Sequence, residues 1–274
     1  MRRIVKGNRG LTLIELLVAL AISALIIAAL YRTFVGQQKT YTVQEQVVDM
    51  RQNVRGAISN MMRELRMAGF GGVGMVLPIT IGTDTYQNVV NRNTPSTPPG
   101  GWITIVTALT SSSRGATLTA GTISTSYRIY VSDLSDFDTN KKKYISIGGV
   151  ESNTITSINT GTKELTLKER LVYKHLANTR VYPIRAVSYR AGLRDENTDG
   201  GAQPTAENIE STQFEYLDAQ GNPVASDGAV QMIRVRVTAK TDTEDPQLKK
   251  GGGDGYRRRE ISSNIQLRNV TISP

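Results

Sequence analysis

The chain opens on an apolar pattern that changes character after about thirty positions. Residues 11–30 form a run whose only charged member is Glu15. As a helix this run would be about 30 Å long, which matches the core of a bilayer. No proline occurs from position 11 to position 66, and apolar residues recur three or four apart from Val43 to Ala68. This spacing predicts one continuous helix over residues 11–67, amphipathic in its second half and ended by the glycines that follow.

Beyond the helix, short apolar runs alternate with polar residues and turn signals, which is typical of antiparallel strands. The Asn159–Thr162 stretch predicts a hairpin turn, and residues 241–255 predict an exposed polar loop. The fold class is therefore α+β, with one long N-terminal helix, membrane-spanning in its first half, packed on an antiparallel β-sheet domain. The pattern predicts nine strands, at residues 102–107, 126–131, 144–147, 154–158, 164–168, 179–189, 212–217, 232–239 and 260–271.

The amino-acid composition excludes several classes of site and of catalytic mechanism. The 274 residues include no cysteine and one histidine, His175, which excludes disulfides, zinc–thiolate sites and cysteine nucleophiles. The sequence around His175 offers no second histidine and no evident acidic partner, so we expect a structural or surface role. We find no nucleophile–base set that would support catalysis, and we expect the protein not to be an enzyme.

Of the net charge of +9, four charges lie at the N-terminus, where Arg2, Arg3, Lys6 and Arg9 precede the apolar run without any acid. The positive-inside rule keeps such a segment in the cytoplasm and places the C-terminal domain outside it. A cleaved secretory signal would have a shorter apolar region and a small-residue cleavage site. A plain membrane anchor would leave Glu15 unexplained, because an acid inside a membrane indicates function.

The segment Gly10-Leu11-Thr12-Leu13-Ile14-Glu15, followed by the apolar run, resembles the processing motif of type IV prepilins and type II secretion pseudopilins. The resemblance implies that a prepilin peptidase cuts between Gly10 and Leu11 and methylates the new amine of Leu11. It also implies that Glu15 meets the N-terminal amine of a neighbouring subunit as the helices pack into a filament. The family usually has phenylalanine where this chain has Leu11.

A second resemblance covers the distal segments. Residues 44–70, 208–216, 233–237 and 267–269 are similar to PilW-like minor pilins, and the organisation is also similar to the minor pseudopilin J of type II secretion. Many of these relatives carry cysteine just after the helix, where this chain has Gly71 and Gly72. The resemblance implies four parts: a cleaved leader (1–10), a transmembrane and filament-core helix (11–35), its amphipathic continuation (36–70) and an extracytoplasmic β-rich domain (71–274).

The function implied is that of a minor pilin of a type IV pilus, held in the inner membrane before it enters or primes the filament. Its partners would be prepilin peptidase, other pilins or pseudopilins, and the membrane. One alternative is a minor pseudopilin of type II secretion. Another is a membrane-tethered adhesin or a DNA-uptake module.

Two further patterns bear on the last alternative. Asp195, Asn197 and Asp199, with Gly200, have the spacing of a calcium loop, although no acid stands at its twelfth position. Calcium is thus a candidate ligand of this loop, and we otherwise expect the protein to have no cofactor. The basic runs 141–143 and 257–259 could contact an anionic surface. Such runs are usually solvated, so we do not expect nucleic acid as a partner.

Overall fold

The computed structural model describes residues 12–92, 101–109, 115–190, 192–196 and 201–270. The chain divides into two compact units, Met1–Asp49 and Met50–Pro274. Helix α1, Leu13–Arg66, supplies the described regular structure of the first unit and enters the second with its last turns. The predicted helix is confirmed, although Leu11 lies outside the described residues.

In the second unit the end of α1 packs on β-sheets, as the periodicity predicts. Its buried side chains follow the helical spacing: Met50, Val54, Ala57, Ile58, Met61 and Leu65. Helix α1 ends at Arg66, and Gly69, with a φ of +77°, stands just before a 3-10 helix at Phe70–Met75. Helices commonly end with a residue in the left-handed conformation, which glycine adopts without strain.

The strands form three sheets among the described residues. Their bounds are β1 Ile79–Ile81, β2 Asp84–Tyr86, β3 Val90–Asn91, β4 Trp102–Ala108, β5 Ala116–Thr117, β6 Arg128–Tyr130, β7 Tyr144–Ile147, β8 Glu151–Asn159, β9 Glu164–Leu167, β10 Arg180–Arg190, β11 Leu193–Glu196, β12 Gln203–Pro204, β13 Ile209–Leu217, β14 Met232–Lys240 and β15 Arg258–Gln266.

All nine predicted strands exist, and the α+β class is confirmed. The six strands that the pattern did not predict have two to four residues each.

The largest sheet runs β12-β11-β10-β7-β8-β9-β6, with β3, β4 and β5 attached beside β10, and a second sheet runs β13-β14-β15. Strand β10 belongs to two regions, because Arg180–Pro183 pair with β5 and β7 while Ile184–Arg190 pair with β4. Pro183, which has no N–H to donate, lies where this pairing changes. Residues 115–181 therefore form an inserted lobe with a core of its own, which includes Phe137, Ile155 and Leu171.

The predicted loop over residues 241–255 was wrong in one respect, because a short helix, α2 (Pro246–Lys250), lies within it. Proline is favoured in the first turn of a helix, where its missing N–H has no intrahelical partner in any case. The predicted hairpin turn is confirmed: the Asn159 side-chain oxygen accepts hydrogen bonds from the N–H groups of Gly161 and Thr162. The last strand ends at Gln266, earlier than predicted.

Candidate functional site

The described part of the N-terminal site is the first turn of α1. Thr12 precedes the helix, and its backbone N–H and its hydroxyl both donate to Oε2 of Glu15, at 3.0 and 2.9 Å. The N–H of Glu15 in turn donates to the Thr12 hydroxyl at 3.4 Å. This reciprocal arrangement is a capping box, which satisfies N–H groups that a helix start leaves without partners.

Glu15 therefore has a local role that the family resemblance did not indicate, although Thr12-x-x-Glu15 is the sequence signature of such a box. Both bonds from Thr12 end on one carboxylate oxygen, so the other can accept a further hydrogen bond. Gly10 and Leu11, the predicted processing residues, lie outside the described residues.

The helix that follows Glu15 has an apolar surface. Its large side chains are exposed, with Leu13 at 82%, Leu25 at 72% and Phe34 at 63%. Among the described residues, α1 is the one helix long and apolar enough to cross a membrane. Apolar surface of this extent needs lipid or other helices as its surroundings.

The second candidate, the calcium loop, is described only in part. Asp195 lies in β11 opposite Ser188 of β10, and its buried Oδ1 has no hydrogen-bond partner among the described residues. Asn197, Asp199 and Gly200 lie outside the described residues. Within the described ranges, no group of three acidic, histidine or cysteine side chains is arranged to hold a metal ion.

The basic run at the start of β15 is paired with acids. Arg257 binds Asp245 at 2.7 Å, and Arg258 binds both Glu210 and Asp254. The hydrogen bonds from Arg258 and from the Tyr256 N–H lower the pKa of Asp254 to about 2. Much of the positive charge of this run is thus compensated within the protein, which weakens the case for an anionic partner there.

His175 does have an acidic partner, contrary to the expectation from its neighbours in sequence. It is 6% exposed, and its Nε2 lies 3.0 Å from Oε2 of Glu151, itself 8% exposed. Of the structural and surface roles that we expected, this burial fits the structural one. The partner could not be found from sequence spacing, because β8 brings it from 24 positions away.

Sequence analysis also missed a charged cluster in which Glu64 of α1 meets residues of β10 and β11. Arg194 contacts Glu64 of α1 through two hydrogen bonds of 2.9 Å, Arg185 lies 3.4 Å from it, and the Tyr189 hydroxyl donates to it. Burial and the negative charge and hydrogen bond of Glu64 raise the pKa of Tyr189. The hydrogen bond to Glu64 likewise raises the pKa of Arg194.

A usable signal for this cluster lay in the helix pattern. Glu64 stands three positions after Met61 and four before Ala68, both of which are buried. It therefore lies beside the apolar stripe and not on the opposite, solvated face. A charged residue at such a position indicates a buried partner of opposite charge.

Comparison with known proteins bears on the N-terminal segment. The model of the prokaryotic N-terminal methylation motif matches residues 5–31. No curated protein matches the chain. The match, together with the apolar helix that begins beside Glu15, supports a type IV pilin-like protein, and it points to a structural pilin rather than an enzyme.

Proposed function

We propose that this protein is a minor pilin of a type IV pilus. The observation that carries the proposal is the N-terminal methylation motif at residues 5–31, which coincides with a basic segment, an apolar helix and an acid one turn inside it. The resemblance of residues 44–70 and of the distal strands to PilW-like proteins favours a minor pilin over a major one. Prepilin peptidase and other pilins are its proposed partners.

Processing would remove residues 1–10 by cutting between Gly10 and Leu11, and the new amine of Leu11 would be methylated. Arg2, Arg3 and Lys6 would hold the leader on the cytoplasmic side. Residues 11–35 would then span the inner membrane once. Residues 36–70 would continue the helix, and residues 71–274 would form a domain outside the cytoplasm.

Assembly would use the first turn of the mature helix. The cut breaks the bond before Leu11, so the Thr12 N–H that bonds Glu15 remains a peptide N–H in the mature protein. The capping box can therefore persist after processing. The second carboxylate oxygen of Glu15 would then accept a hydrogen bond from the protonated Leu11 amine of a neighbouring subunit. The positive charge of this amine would compensate the negative charge of Glu15 inside the filament.

Pseudopilins of type II secretion carry the same kind of N-terminal motif, so a minor pseudopilin is the second candidate. Deletion of the gene separates the two functions: loss of pili with secretion retained supports a minor pilin, whereas loss of secretion with pili retained supports a pseudopilin. A membrane-tethered adhesin or DNA-uptake module would instead leave filaments intact and abolish adhesion or uptake.

The assembly role of Glu15 is tested by complementing that deletion strain with Glu15→Ala. We expect the variant to reach the membrane and lose its leader, yet to fail to restore pili. Glu45→Ala is the control, because Glu45 is an exposed acid on the same helix. Equal restoration of pili by both variants would contradict the proposed role.

A further inference from the structure

Part of the inserted lobe is apolar on its outer side. Beneath it lies the lobe's own core, to which Leu171 contributes at 2% exposure. Five large apolar side chains nearby are instead exposed, namely Ile123 at 67%, Tyr127 at 43%, Val172 at 69%, Tyr173 at 52% and Leu176 at 81%. We call these five residues the apolar loop surface. Large exposed aliphatic side chains gathered in one place usually mark an interaction site.

The five residues belong to two segments, 121–127 and 167–177, that run antiparallel to each other. Backbone hydrogen bonds join them at three levels: Leu167 N–H to Tyr127 O at 2.7 Å, Thr125 N–H to Leu171 O at 2.6 Å and Thr122 N–H to His175 O at 2.8 Å. The two segments that carry the apolar loop surface are therefore held side by side in the lobe.

A buried carboxylate holds this surface in shape. Glu151 accepts hydrogen bonds from the N–H groups of Val172 and Tyr173, at 2.8 and 3.3 Å, and it also contacts His175. These bonds fix the backbone at Val172 and Tyr173, whose side chains are exposed. The ordered backbone means that little conformational entropy is lost when the surface binds a partner.

Positive charge borders the apolar residues. Lys168, Arg170 and Lys174 are exposed on the same segment, which carries one exposed acid, Glu169. The Arg170 guanidinium lies over the Tyr127 ring, 5.1 Å from its centroid. Aliphatic side chains together with tyrosine, lysine and arginine are the residues that favour the headgroup region of an anionic bilayer.

We propose that the apolar loop surface docks on an anionic lipid bilayer. Val172, Tyr173 and Leu176 enter the headgroup region, while Lys168 and Lys174 contact lipid phosphates. A bilayer deforms around projecting side chains, whereas a protein partner must provide matching cavities. The chain also carries its own apolar helix, which keeps a bilayer at high effective concentration. This inference goes beyond the proposed function, because it requires neither processing nor a filament.

The test uses the full chain in nanodiscs of phosphatidylcholine, which leave the lobe accessible. The nanodiscs are floated with added vesicles of phosphatidylcholine, with or without phosphatidylglycerol. The test variant combines Leu176→Glu with Lys174→Glu. The matched control combines Leu248→Glu with Lys250→Glu, because this exposed leucine and lysine of α2 also stand two positions apart. Circular dichroism verifies that both variants keep the sheet structure.

We expect vesicles with phosphatidylglycerol to capture the wild-type nanodiscs and pure phosphatidylcholine vesicles to leave them behind. Capture should fall about tenfold in the test variant, because both an apolar and an electrostatic contact are lost, and it should be unchanged in the control. Absence of wild-type capture would overturn the proposal in favour of a protein occupant. An equal loss in both variants would also overturn it.

Discussion

At the residue scale, one carboxylate connects the helix with the sheet of the second unit. Glu64 receives Arg194, Arg185 and the Tyr189 hydroxyl in a partly buried position, with its side chain 20% exposed. The attraction within such a group contributes little net stability, because burying charges costs solvation free energy. Loss of one member is nevertheless destabilising, because the buried charges of its partners are then less well compensated. The cluster thus fixes where the end of α1 lies on β10 and β11.

Glu64→Ala is expected to lower the free energy of unfolding of the second unit by about 2 kcal/mol, because the Tyr189 hydroxyl loses its partner and two arginines keep only Glu196 as an acidic partner. Chemical denaturation followed by circular dichroism measures the change. Arg63→Ala removes an exposed charge one position away and should change it by less than about 0.5 kcal/mol. Similar effects of the two substitutions would show that the cluster contributes nothing.

Buried tyrosines predict how stability depends on pH. Burial raises the pKa of Tyr86 to about 12, and it also raises the pKa of Tyr189 and Tyr216 above the ordinary value of 10.0. The folded state then holds these protons more tightly than the unfolded state. The resulting stability is fully present below pH 10 and is lost as the pH rises further.

We therefore expect the phenolate absorbance to rise in two phases on alkaline titration. Exposed tyrosines ionise first, and the buried ones ionise together with the loss of the circular-dichroism signal. Ionisation of all tyrosines in one step, with the circular dichroism retained, would contradict this account.

At the element scale, the helix and the longer strands could be predicted from sequence, whereas the short strands could not. The stripe from Val43 to Ala68 repeats often enough to identify a helix, and β14 alternates over its whole length. Strands β3, β5 and β12 have two residues each and form because longer neighbours offer free backbone groups. Two residues are too few to show the alternation of apolar and polar positions from which a strand is predicted.

The glycines after α1 show a second limit of sequence reasoning. At Gly72 a Cβ atom would lie 2.6 Å from the Cα of Gly149, and the φ of Gly72 is +75°. A side chain has no room there. The contact depends on a partner 77 positions away and is invisible in the local pattern.

Gly72→Ala should destabilise the second unit by about 2 kcal/mol or more, because backbone strain and a clash with backbone act together. Gly252→Ala is the control, since Gly252 has a φ of +85° but nothing within 4 Å of its Cβ position. Strain alone should cost about 1 kcal/mol there. Thermal unfolding compares the two, and equal shifts would show that the close approach of Gly149 has no effect.

At the scale of the whole molecule, the sequence predicted the class of the fold and the character of its N-terminus but not the connections among its sheets. The order of strands around β10 depends on pairings between distant segments, such as Ile184 with Ala108. The inserted lobe depends on them too. By contrast, the N-terminal motif is local, so Glu15 and its apolar helix could be identified from sequence, whereas its bond with Thr12 was found only in the structure.

The central claim is that the chain is processed as a prepilin, and the mass of its mature form tests that claim most directly. The full chain is expressed in membranes with and without a prepilin peptidase, and its intact mass and N-terminal sequence are determined. We predict a peptidase-dependent chain that begins at N-methylated Leu11. A chain that still begins at Met1 in the presence of the peptidase, or one cut beyond Ala29, would contradict the account.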